Sequence, residues 1–475
     1  MSFIMSVFDY LVIDIGSTFL KQRLFKDSSL VATTQLPTTL KDVYQGYQSG
    51  KQKLQNDLAV DEIDPKNFLA TSSAAGGLRM VAMGYMSRVT AKASKEVAMN
   101  AGAKILEVIS HEDTPEYRLE ILKEINPDII LLAGGTDSGD ETSLIENAEI
   151  IVESDVNSLV IIAGNIKAQK KAAQILEDGG VNYTRVSNIM PTIHELKVTE
   201  ARDAIHREFI KQITEAKGSD QLVKELSTSQ IVPTPGAVLL GAELLAKGTY
   251  KDEGLGGVVV VDLGGATTDV HSILPELEEL EDEEKGLVVS NEKQEAYRTV
   301  EGNLGLRVSA LGVIETMHPK NILSKSNLDP NEYEEGFRNY CNYIEENTNH
   351  VATNEQEELF DSLLAETAVE VALKRHAGYI SKEADPVMGI VPGTPIGRDL
   401  RKVKKVIAVG GYFSHRSPEQ GEEIINNVIQ NPGISLLPTE PEIIIDEKYL
   451  LFAAGVISRV DEDYAFQILK QAYQL

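Results

Sequence analysis

The sequence has almost none of the residue that builds disulfide frameworks and metal–thiolate clusters. Cys341 is the single cysteine among the 475 residues, and it lies in a segment of polar residues that favour helix. One thiol forms no disulfide within the chain and no cysteine-ligated metal cluster, which argues against an iron–sulfur protein and fits a reducing compartment. We therefore predict that Cys341 is chemically inert.

Long apolar runs are also missing. No stretch of about 18 apolar residues occurs, so no segment has the composition of a transmembrane helix. Residues 1–10 lack the basic start and the long apolar centre of a secretory signal. These absences lead us to expect a soluble protein of the cytoplasm that has no membrane partner.

Basic residues are scarce relative to acidic ones. The chain has 45 Lys and Arg against 73 Asp and Glu, which gives a formal net charge of −28 at pH 7. This excess disfavours sequence-independent binding to nucleic acid or to an anionic membrane. A phosphate-bearing ligand would have to be held locally, by backbone N–H groups, a metal ion or a few basic side chains. The densest acidic run, residues 275–286, reads either as a solvated loop or as a surface that faces a partner.

Short apolar runs alternate with longer segments of helical periodicity along most of the chain. This alternation predicts an α/β fold with largely buried strands, and the length suffices for two or more domains. Residues 104–189 repeat the strand-then-helix unit, which predicts an enlarged or inserted α/β subdomain that extends to residue 215. The clearest strand candidates are Leu11 to Ile15, Ile129 to Ala133, Leu159 to Ala163, Val258 to Val261 and Val406 to Val409.

Two of the apolar runs end in a similar way. One leads into Asp-Ile-Gly-Ser-Thr at residues 14–18, and the other into Asp-Leu-Gly-Gly-Ala-Thr-Thr-Asp at residues 262–269. In both, small residues let the backbone turn sharply after the strand and present N–H groups to an anion. Either loop alone is ordinary turn chemistry, but the pair predicts two loops that face each other across a phosphate-binding cleft.

The aspartates of these loops would repel phosphate unless a cation lay between them. Asp14, Asp262 and Asp269 therefore indicate a bound metal ion or a positioned water molecule. Mg²⁺ suits this requirement, because it keeps several water ligands and accepts one or two carboxylates together with phosphate oxygens. We predict a Mg²⁺ site at these three carboxylates.

Five elements in a fixed order resemble the actin, Hsp70 and sugar-kinase superfamily, and the Hsp70 type most closely. They are DIGST, VPTPGAVLLGAELL, DLGGATTD, VIAVGGYFSH and IDEKYLLFAAGVIS. The resemblance implies a two-lobed actin-like ATPase of the ribonuclease H-like fold. Its lobes would be residues 1–235 and 258–475, joined by a connecting helix and linker at 236–257. Small residues on the two connecting helices, among them Gly241 and Gly455, also predict a close helix crossing.

The same resemblance implies roles for individual residues. Asp14 and Asp262 would orient the attacking water and hold the Mg²⁺ that accompanies ATP, with Asp269 on the metal side. Catalysis would then consist of positioning and electrostatic stabilisation rather than covalent attack. Lys21 reads either as a phosphate ligand or as a side chain that reaches solvent. The other positions implied for nucleotide binding are Gly16, Ser17, Thr18, Gly264, Gly265, Ala266 and Thr267 for the phosphates, and Gly410 and Gly411 for the adenosine.

Four further strings resemble a family of accessory proteins, called MutL or GlmL, that accompany adenosylcobalamin-dependent glutamate (methylaspartate) mutase. They are TSSAAGGLRMVAMG, LLAGGTDSGD, PTPGAVLLGAELLA and RTVEGNLGLRVSA. The resemblance implies an ATP-dependent reactivating factor or chaperone whose partner is that mutase or a related aminomutase. Lobe closure on the nucleotide would help to exchange damaged cofactor. ATP and Mg²⁺ are the implied cofactors, and no nucleic acid is an implied partner.

Alternatives from other classes stay open at this point. A small-molecule kinase of the same superfamily would need a general base and a polar acceptor pocket, for which the sequence has no recognisable signature. An ATP-dependent electron donor would need an iron–sulfur cluster, which one cysteine per chain does not supply. A non-hydrolysing actin-like scaffold would keep the nucleotide fold for assembly. Residues 298–305 read either as a second ligand or metal site or as a plain turn, and residues 72–77 either as a nucleotide contact or as a partner contact.

Overall fold

The chain divides into two compact units. Unit 1 comprises Met1–Thr39, Gln45–Thr71 and Glu225–Leu475, and unit 2 comprises Leu40–Tyr44 and Ser72–Lys224. The lobe boundaries inferred from the sequence stay a prediction. The computed structural model describes residues 5–16, 19–38, 42–73, 78–86, 93, 97, 103–192, 197–215, 219–228, 231–275, 296–384 and 391–475.

Strands and helices alternate along the described residues, which confirms the predicted α/β class. The strands are β1 (Met5–Ile15), β2 (Phe19–Lys26), β3 (Ser29–Pro37), β4 (Glu62–Ser72), β5 (Leu78–Gly84), β6 (Ala103–Ser110), β7 (Ile129–Leu132), β8 (Leu159–Ile162), β9 (Tyr183–Arg185), β10 (Ile231–Pro233), β11 (Val258–Leu263), β12 (Thr268–Ile273), β13 (Ala296–Glu301), β14 (Tyr379–Ile380), β15 (Pro395–Ile396), β16 (Lys405–Val409) and β17 (Glu442–Ile445). The helices are α1 (Val43–Leu58), α2 (Pro115–Ile125), α3 (Thr142–Ser154), α4 (Ile166–Asp178), α5 (Thr199–Glu215), α6 (Ser219–Glu225), α7 (Thr234–Lys247), α8 (Ala310–Thr316), α9 (Pro319–Leu323), α10 (Pro330–Glu346), α11 (Glu355–His376), α12 (Gly411–Ser414), α13 (Pro418–Gln430), α14 (Leu451–Ser458) and α15 (Glu462–Tyr473).

Unit 1 is built around two five-stranded sheets. Their strand orders are β10-β4-β1-β2-β3 and β13-β12-β11-β16-β17. Strand β11 is apolar without interruption over Val258–Val261 because both of its faces are covered. Val259 and Val261 belong to one core cluster of buried residues, whereas Val258 and Val260 belong to another. Packing on both faces of β11 therefore fixes the position of its polar end.

Helices α7 and α14 cross closely within unit 1, as the small residues of both segments predicted. A Cβ added to Gly455 would lie 1.8 Å from the carbonyl oxygen of Ala237, and one added to Gly241 would lie 2.4 Å from that of Leu451. Both distances are far shorter than van der Waals contact, so glycine is required at each crossing position. The crossing joins the segment that follows β10 to the segment that follows β17.

Unit 2 contains a single sheet of five parallel strands in the order β6-β5-β7-β8-β9. The strand-then-helix repeat read from the sequence is confirmed here, since α2, α3 and α4 each follow one strand and precede the next. Parallel strands joined by helices bury both faces of a sheet, which explains the apolar runs of β7 and β8. All the loops that follow these strands lie at the carboxyl edge of the sheet.

The structure also bears on other predictions made from the sequence. Cys341 lies in α10 with none of its surface exposed, and burial raises the pKa of its thiol to about 12. In the part of the chain that the structure describes, no helix is both long and apolar enough to cross a membrane. Ser17, Thr18, residues 74–77 and residues 276–286 lie outside the described residues.

The helix crossing yields a stability prediction. Gly455→Ala should lower the free energy of unfolding of unit 1 by about 1–3 kcal/mol, because the new methyl group overlaps the Ala237 carbonyl. Gly336→Ala in α10 is the matched control, since no atom lies within 4 Å of its added Cβ. That control should be stabilising by about 0.5–1 kcal/mol. Urea unfolding followed by circular dichroism measures both, and equal effects at the two glycines would contradict the crossing.

Candidate functional site

Two hairpins of the same geometry close strand pairs in unit 1. In the first, the N–H of Gly16 donates to the carbonyl of Phe19 at 3.0 Å, and in the second the N–H of Gly264 donates to the carbonyl of Thr267 at 2.9 Å. A Cβ on Gly16 would lie 2.6 Å from the Phe19 carbonyl oxygen, so the first turn requires glycine. The two loops singled out in the sequence are therefore closed by the same backbone hydrogen bond.

Asp14 lies two residues before the first turn, and only 1% of its surface is exposed. Its Oδ1 accepts hydrogen bonds from the hydroxyl groups of Thr71 at 2.9 Å and Thr234 at 2.6 Å. Its Oδ2 lies 3.5 Å from Nζ of Lys21, the residue opposite it on β2. Thr71 belongs to β4 and Thr234 begins α7, so three elements besides its own strand fix the orientation of this carboxylate.

Lys21 directs its ammonium group into this site. Nζ lies 3.9 Å from the centroid of the Tyr449 ring, and 17% of the side chain is exposed. Burial lowers the pKa of Lys21, while the neighbouring Asp14 carboxylate opposes that shift. Tyr449 itself has φ of 51°, a left-handed conformation that costs energy in a bulky residue and often marks a functional site. The Lys21 side chain therefore does not extend freely into solvent, which was one of the two interpretations of the sequence.

Asp262 occupies the same position in the second hairpin as Asp14 does in the first. It is 9% exposed, and no residue in the described ranges donates a hydrogen bond to its carboxylate. Burial, together with the negative charges of Asp269 and Asp14, raises the pKa of Asp262 to about 7, against the opposing charges of Lys21 and Arg298. The two hairpins therefore act on each other electrostatically, and this carboxyl group accepts no hydrogen bond from the part of the chain that the structure describes.

Asp269 lies opposite Asp262 in the hairpin, and its negative charge is paired with a positively charged side chain. Oδ2 accepts from the hydroxyl of Thr267 at 3.0 Å, and Oδ1 accepts from Nε and Nη2 of Arg298 at 2.8 and 2.5 Å. Arg298 is almost fully buried on β13. Among the described residues, no three His, Cys, Asp or Glu side chains lie together in a way that could hold a metal ion. The metal role predicted for Asp269 stays a prediction, and its ion pair with Arg298 argues against it.

Residues 304–308 support the second hairpin loop through hydrogen bonds. The carbonyls of Gly264 and Gly265 accept from backbone N–H groups of this segment at 2.8–3.1 Å, and the hydroxyl of Thr268 donates to the Leu304 carbonyl at 2.5 Å. The N–H groups of Gly265 and Ala266 have no acceptor within the described ranges. Fixed backbone with free N–H groups is the arrangement that binds an anion. Residues 298–305 therefore form the end of β13 and the turn that supports the loop. Glu301 in this segment forms an ion pair with Arg375.

Gly410 and Gly411 follow β16 and differ in their surroundings. Gly410 has φ of +116°, and an added Cβ would lie 2.2 Å from the carbonyl oxygen of Leu263. It is therefore required for contact with the strand that carries Asp262. Gly411 has no atom within 4 Å of its added Cβ, so open space lies beside it. This space is compatible with the predicted adenosine role, which stays a prediction.

Sequence reasoning missed four side chains of this site. Thr71 and Thr234 were visible only as members of the strings TSSAAGG and PTPG, and Arg298 only as the start of a glycine-containing string. Tyr449 was visible only as a member of the string IDEKYLLFAAGVIS, and an aromatic residue before a helix is common in any core. Each of the four reaches the hairpins through tertiary contacts rather than through local sequence.

Comparisons with known proteins fit this geometry. The family model described as MutL protein matches residues 10–473 of the chain. The chain is also similar to "Protein MutL" of Clostridium tetanomorphum, with 37% identity over 467 residues that span 97% of this chain and 98% of that relative.

Similar solved structures include nucleotide-free acetone carboxylase, with a TM-score of 0.42, 11% identity and coverage of 95% of this chain and 70% of that chain. Another is the ROK hexokinase of Thermus thermophilus, with a TM-score of 0.27, 10% identity and coverage of 95% and 99%. A third is component A of (R)-2-hydroxyglutaryl-CoA dehydratase from Acidaminococcus fermentans, with a TM-score of 0.28, 11% identity and coverage of 99% and 98%. These structural likenesses are distant, and the sequence matches alone carry the family assignment.

The raised pKa of Asp262 yields a prediction for the protein without nucleotide or metal. A carboxyl group with a folded pKa of about 7 and an ordinary value of 3.8 contributes stability at low pH that is lost as the pH rises through 7. Asp262→Asn removes this loss. As the pH rises from 5 to 8, the free energy of unfolding of the variant should therefore increase by about 1–3 kcal/mol relative to that of the native chain. Unfolding in EDTA at the two pH values measures this difference.

Asp269→Asn is the control for that experiment. It leaves Arg298 buried without its ionic partner, so it should be destabilising by about 3–5 kcal/mol at pH 5. The loss should be smaller at pH 8, because the variant also lacks one of the charges that raise the pKa of Asp262. A difference between Asp262→Asn and the native chain that stays constant from pH 5 to pH 8 would show that Asp262 is ionised throughout this range.

Proposed function

This chain belongs to the MutL protein family, and from that premise we propose that it is an ATP-dependent accessory protein of an adenosylcobalamin-dependent mutase. In its finer form, the proposal is a reactivating factor or chaperone for glutamate (methylaspartate) mutase or a related aminomutase, which uses ATP to help exchange damaged cofactor. The observation that carries the proposal is the pair of equivalent hairpins, each with a buried aspartate two residues before a tight glycine turn.

The charges of the site support a bound cation. Asp14 is matched by Lys21, and Asp269 is matched by Arg298. Asp262 alone has no donor among the described residues, and such a buried carboxylate is stable as an anion only beside a positive charge. The residues present therefore fit Mg²⁺, which Asp262 and Asp14 would hold, directly or through water. When bound, Mg²⁺ neutralises charge on the phosphates of ATP.

The chain's own groups would then bind and position the nucleotide. The N–H groups of Gly265 and Ala266 donate to phosphate oxygens, and Lys21 adds a positive charge from the opposite hairpin. Asp14, fixed by two threonine hydroxyls, accepts a hydrogen bond from the attacking water and so orients it. Gly411 leaves room for the adenosine beside β16.

Nucleotide binding would couple to partner binding through the same hairpins. A triphosphate held by both hairpins stabilises the arrangement in which they are close, and hydrolysis removes the contacts of the terminal phosphate. The difference in affinity between the two arrangements limits how much conformational work one ATP supplies. We propose that this work opens the partner enzyme enough to release inactive corrinoid.

Recovery of an inactivated partner tests the proposed function. Glutamate mutase inactivated with hydroxocobalamin should regain activity when incubated with this chain, Mg-ATP and free adenosylcobalamin, and should not regain it with ADP or without the chain. Recovery that is independent of ATP, or no recovery of this or a related aminomutase, would contradict the proposal. Net phosphorylation of a metabolite would instead indicate a kinase, and assembly of filaments without ATP turnover a scaffold.

The two hairpin aspartates should be required for ATP turnover. Asp14→Asn and Asp262→Asn remove the carboxylates proposed to orient water and hold Mg²⁺, so each should lower the rate of phosphate release by about 100-fold or more. Asp9→Asn is the matched control, because Asp9 is also a strand aspartate with a lysine partner but lies at the surface. Unchanged turnover in either hairpin variant would show that the site is elsewhere.

Lys21 should contribute to nucleotide affinity. Lys21→Met keeps most of the side-chain volume and removes the charge, so ATP affinity should fall roughly 10- to 100-fold, the loss expected for one charge-assisted hydrogen bond. Lys66→Met removes a lysine that also pairs with an aspartate but is largely exposed, and it should leave affinity unchanged. Isothermal titration calorimetry measures both, and equal affinities for the native chain and Lys21→Met would assign Lys21 a purely structural pairing with Asp14.

A further inference from the structure

One aromatic residue of unit 1 has a backbone conformation that suits a smaller side chain. Tyr449 has φ of 51°, in the left-handed region. Among the described residues, it is the only aromatic residue with a positive φ, and the other non-glycine residues of this kind are Asp, Asn, Ser, Ala or Gln. A glycine or an asparagine adopts this conformation at lower energy. The geometry of the turn therefore does not explain why the position carries a ring.

The loop that carries Tyr449 is fixed by Asp446, which follows β17 and is 1% exposed. Its Oδ2 accepts hydrogen bonds from the backbone N–H groups of Leu450 at 2.6 Å and Leu451 at 2.9 Å. Its carbonyl accepts from the N–H of Tyr449 at 3.0 Å. These bonds hold the backbone on both sides of Tyr449, so the fold sets the direction in which the ring points.

Strand β2 contacts this loop through two basic side chains on the same face of the strand. Nε of Arg23 donates to the carbonyl of Lys448 at 2.9 Å. Nζ of Lys21 lies over the ring of Tyr449, 3.9 Å from its centroid. The ring also packs on Phe452, with centroids 5.0 Å apart. The first hairpin and the loop before α14 therefore meet at the ammonium group of Lys21.

The ring attracts this ammonium group without using its hydrogen-bond donors. The face of an aromatic ring attracts a cation through its quadrupole, which requires no particular N–H direction. Within the described ranges, Asp14 has the only carboxylate within 4 Å of Nζ, and its Oδ2 lies 3.5 Å away. That distance is longer than the roughly 2.8 Å of a charge-assisted hydrogen bond. Lys21, with three N–H donors, therefore keeps a donor for a phosphate oxygen.

The hydroxyl group of Tyr449 does not account for this arrangement. It makes no hydrogen bond with any part of the chain that the structure describes. Burial and the nearby carboxylates of Asp262 and Asp14 raise the pKa of Tyr449 well above its ordinary value, so the phenol stays neutral. The contact with Lys21 is therefore made by the ring and not by a charged oxygen.

We propose that Tyr449 is a positioning residue, whose ring holds the ammonium group of Lys21 where a phosphate of the nucleotide binds. The inference rests on the proposed function, because Lys21 is a phosphate ligand there. Tyr449 acts through Lys21 and does not itself bind the phosphate. The energy of its left-handed backbone is thus spent on the orientation of a ligand-binding cation.

The test is a double-mutant cycle on the affinity of the full chain for ATP, measured by isothermal titration calorimetry with Mg²⁺. Tyr449→Leu keeps an apolar side chain and removes the ring, so ATP affinity should fall roughly 3- to 30-fold, the effect of losing one cation–π contact. In a chain that carries Lys21→Met, the same substitution should change the affinity by less than about twofold, because no ammonium group remains to be positioned. Tyr449→Phe keeps the ring and should retain affinity within about threefold of the native value.

Phe466→Leu is the matched control. Phe466 is a buried aromatic residue of the same core cluster, and Nζ of Lys470 lies 6.0 Å from the centroid of its ring, but both residues belong to α15. This variant should lower the unfolding midpoint as Tyr449→Leu does, and it should bind ATP within about twofold of the native chain.

A second measurement does not require ATP. In a chain labelled with ¹³C-lysine, the Hε resonance of Lys21 is identified by its loss in Lys21→Met. The ring current should shift this resonance upfield in the native chain and in Tyr449→Phe, and the shift should disappear in Tyr449→Leu. No upfield shift in the native chain would overturn the inference.

The contrary outcomes separate this inference from the proposed function. Equal losses of affinity from Tyr449→Leu in the native and Lys21→Met chains would show that the ring acts without Lys21, which overturns the inference alone. Equal losses from Tyr449→Phe and Tyr449→Leu would assign the effect to the hydroxyl group and would also overturn it. Native affinity in Lys21→Met, or no ATP binding by the native chain, would instead overturn the proposed nucleotide site and this inference with it.

Discussion

The buried carboxylate of Asp262 is the constraint to which the rest of the hairpin site responds. An ionised carboxylate with 9% exposure and no donor among the described residues is costly, and that cost is visible in its pKa of about 7. The two nearby cations relieve this cost only in part, because Lys21 pairs with Asp14 and Arg298 pairs with Asp269. Among the described residues, one negative charge is therefore left unmatched at the place where the two hairpin turns influence each other electrostatically.

This imbalance arises from a single difference between two equivalent hairpins. Opposite Asp14 the second strand carries Lys21, whereas opposite Asp262 it carries Asp269. A second carboxylate at that position requires its own counter-ion, and Arg298 supplies it from β13. The neighbouring strand and the turn after it are thus part of the site's electrostatics. They also hold the carbonyl groups of the loop, whose N–H groups at Gly265 and Ala266 have no acceptor among the described residues.

Local chemistry explains which parts of this arrangement the sequence predicts. The tight turn at Gly16, the unbroken apolar run of β11 and the small residues of the helix crossing all follow from nearest neighbours, and each is visible in a short string. The groups that bind Asp14 are different, because Thr71 and Thr234 are 57 and 220 residues away along the chain. The orientation of Lys21 depends on the strand register, which follows only once the turn is known to span Gly16 to Phe19.

The two units use charge in opposite ways. Unit 1 buries its site carboxylates, and within the described ranges all but Asp262 are paired with a positive charge. Unit 2 leaves its acidic groups in solvent, where salt confines their influence to about 8 Å at physiological ionic strength. Exposed charges of this kind steer the approach of other proteins but add little affinity. A chain with a net charge of −28 repels most acidic proteins and attracts basic ones over this short range.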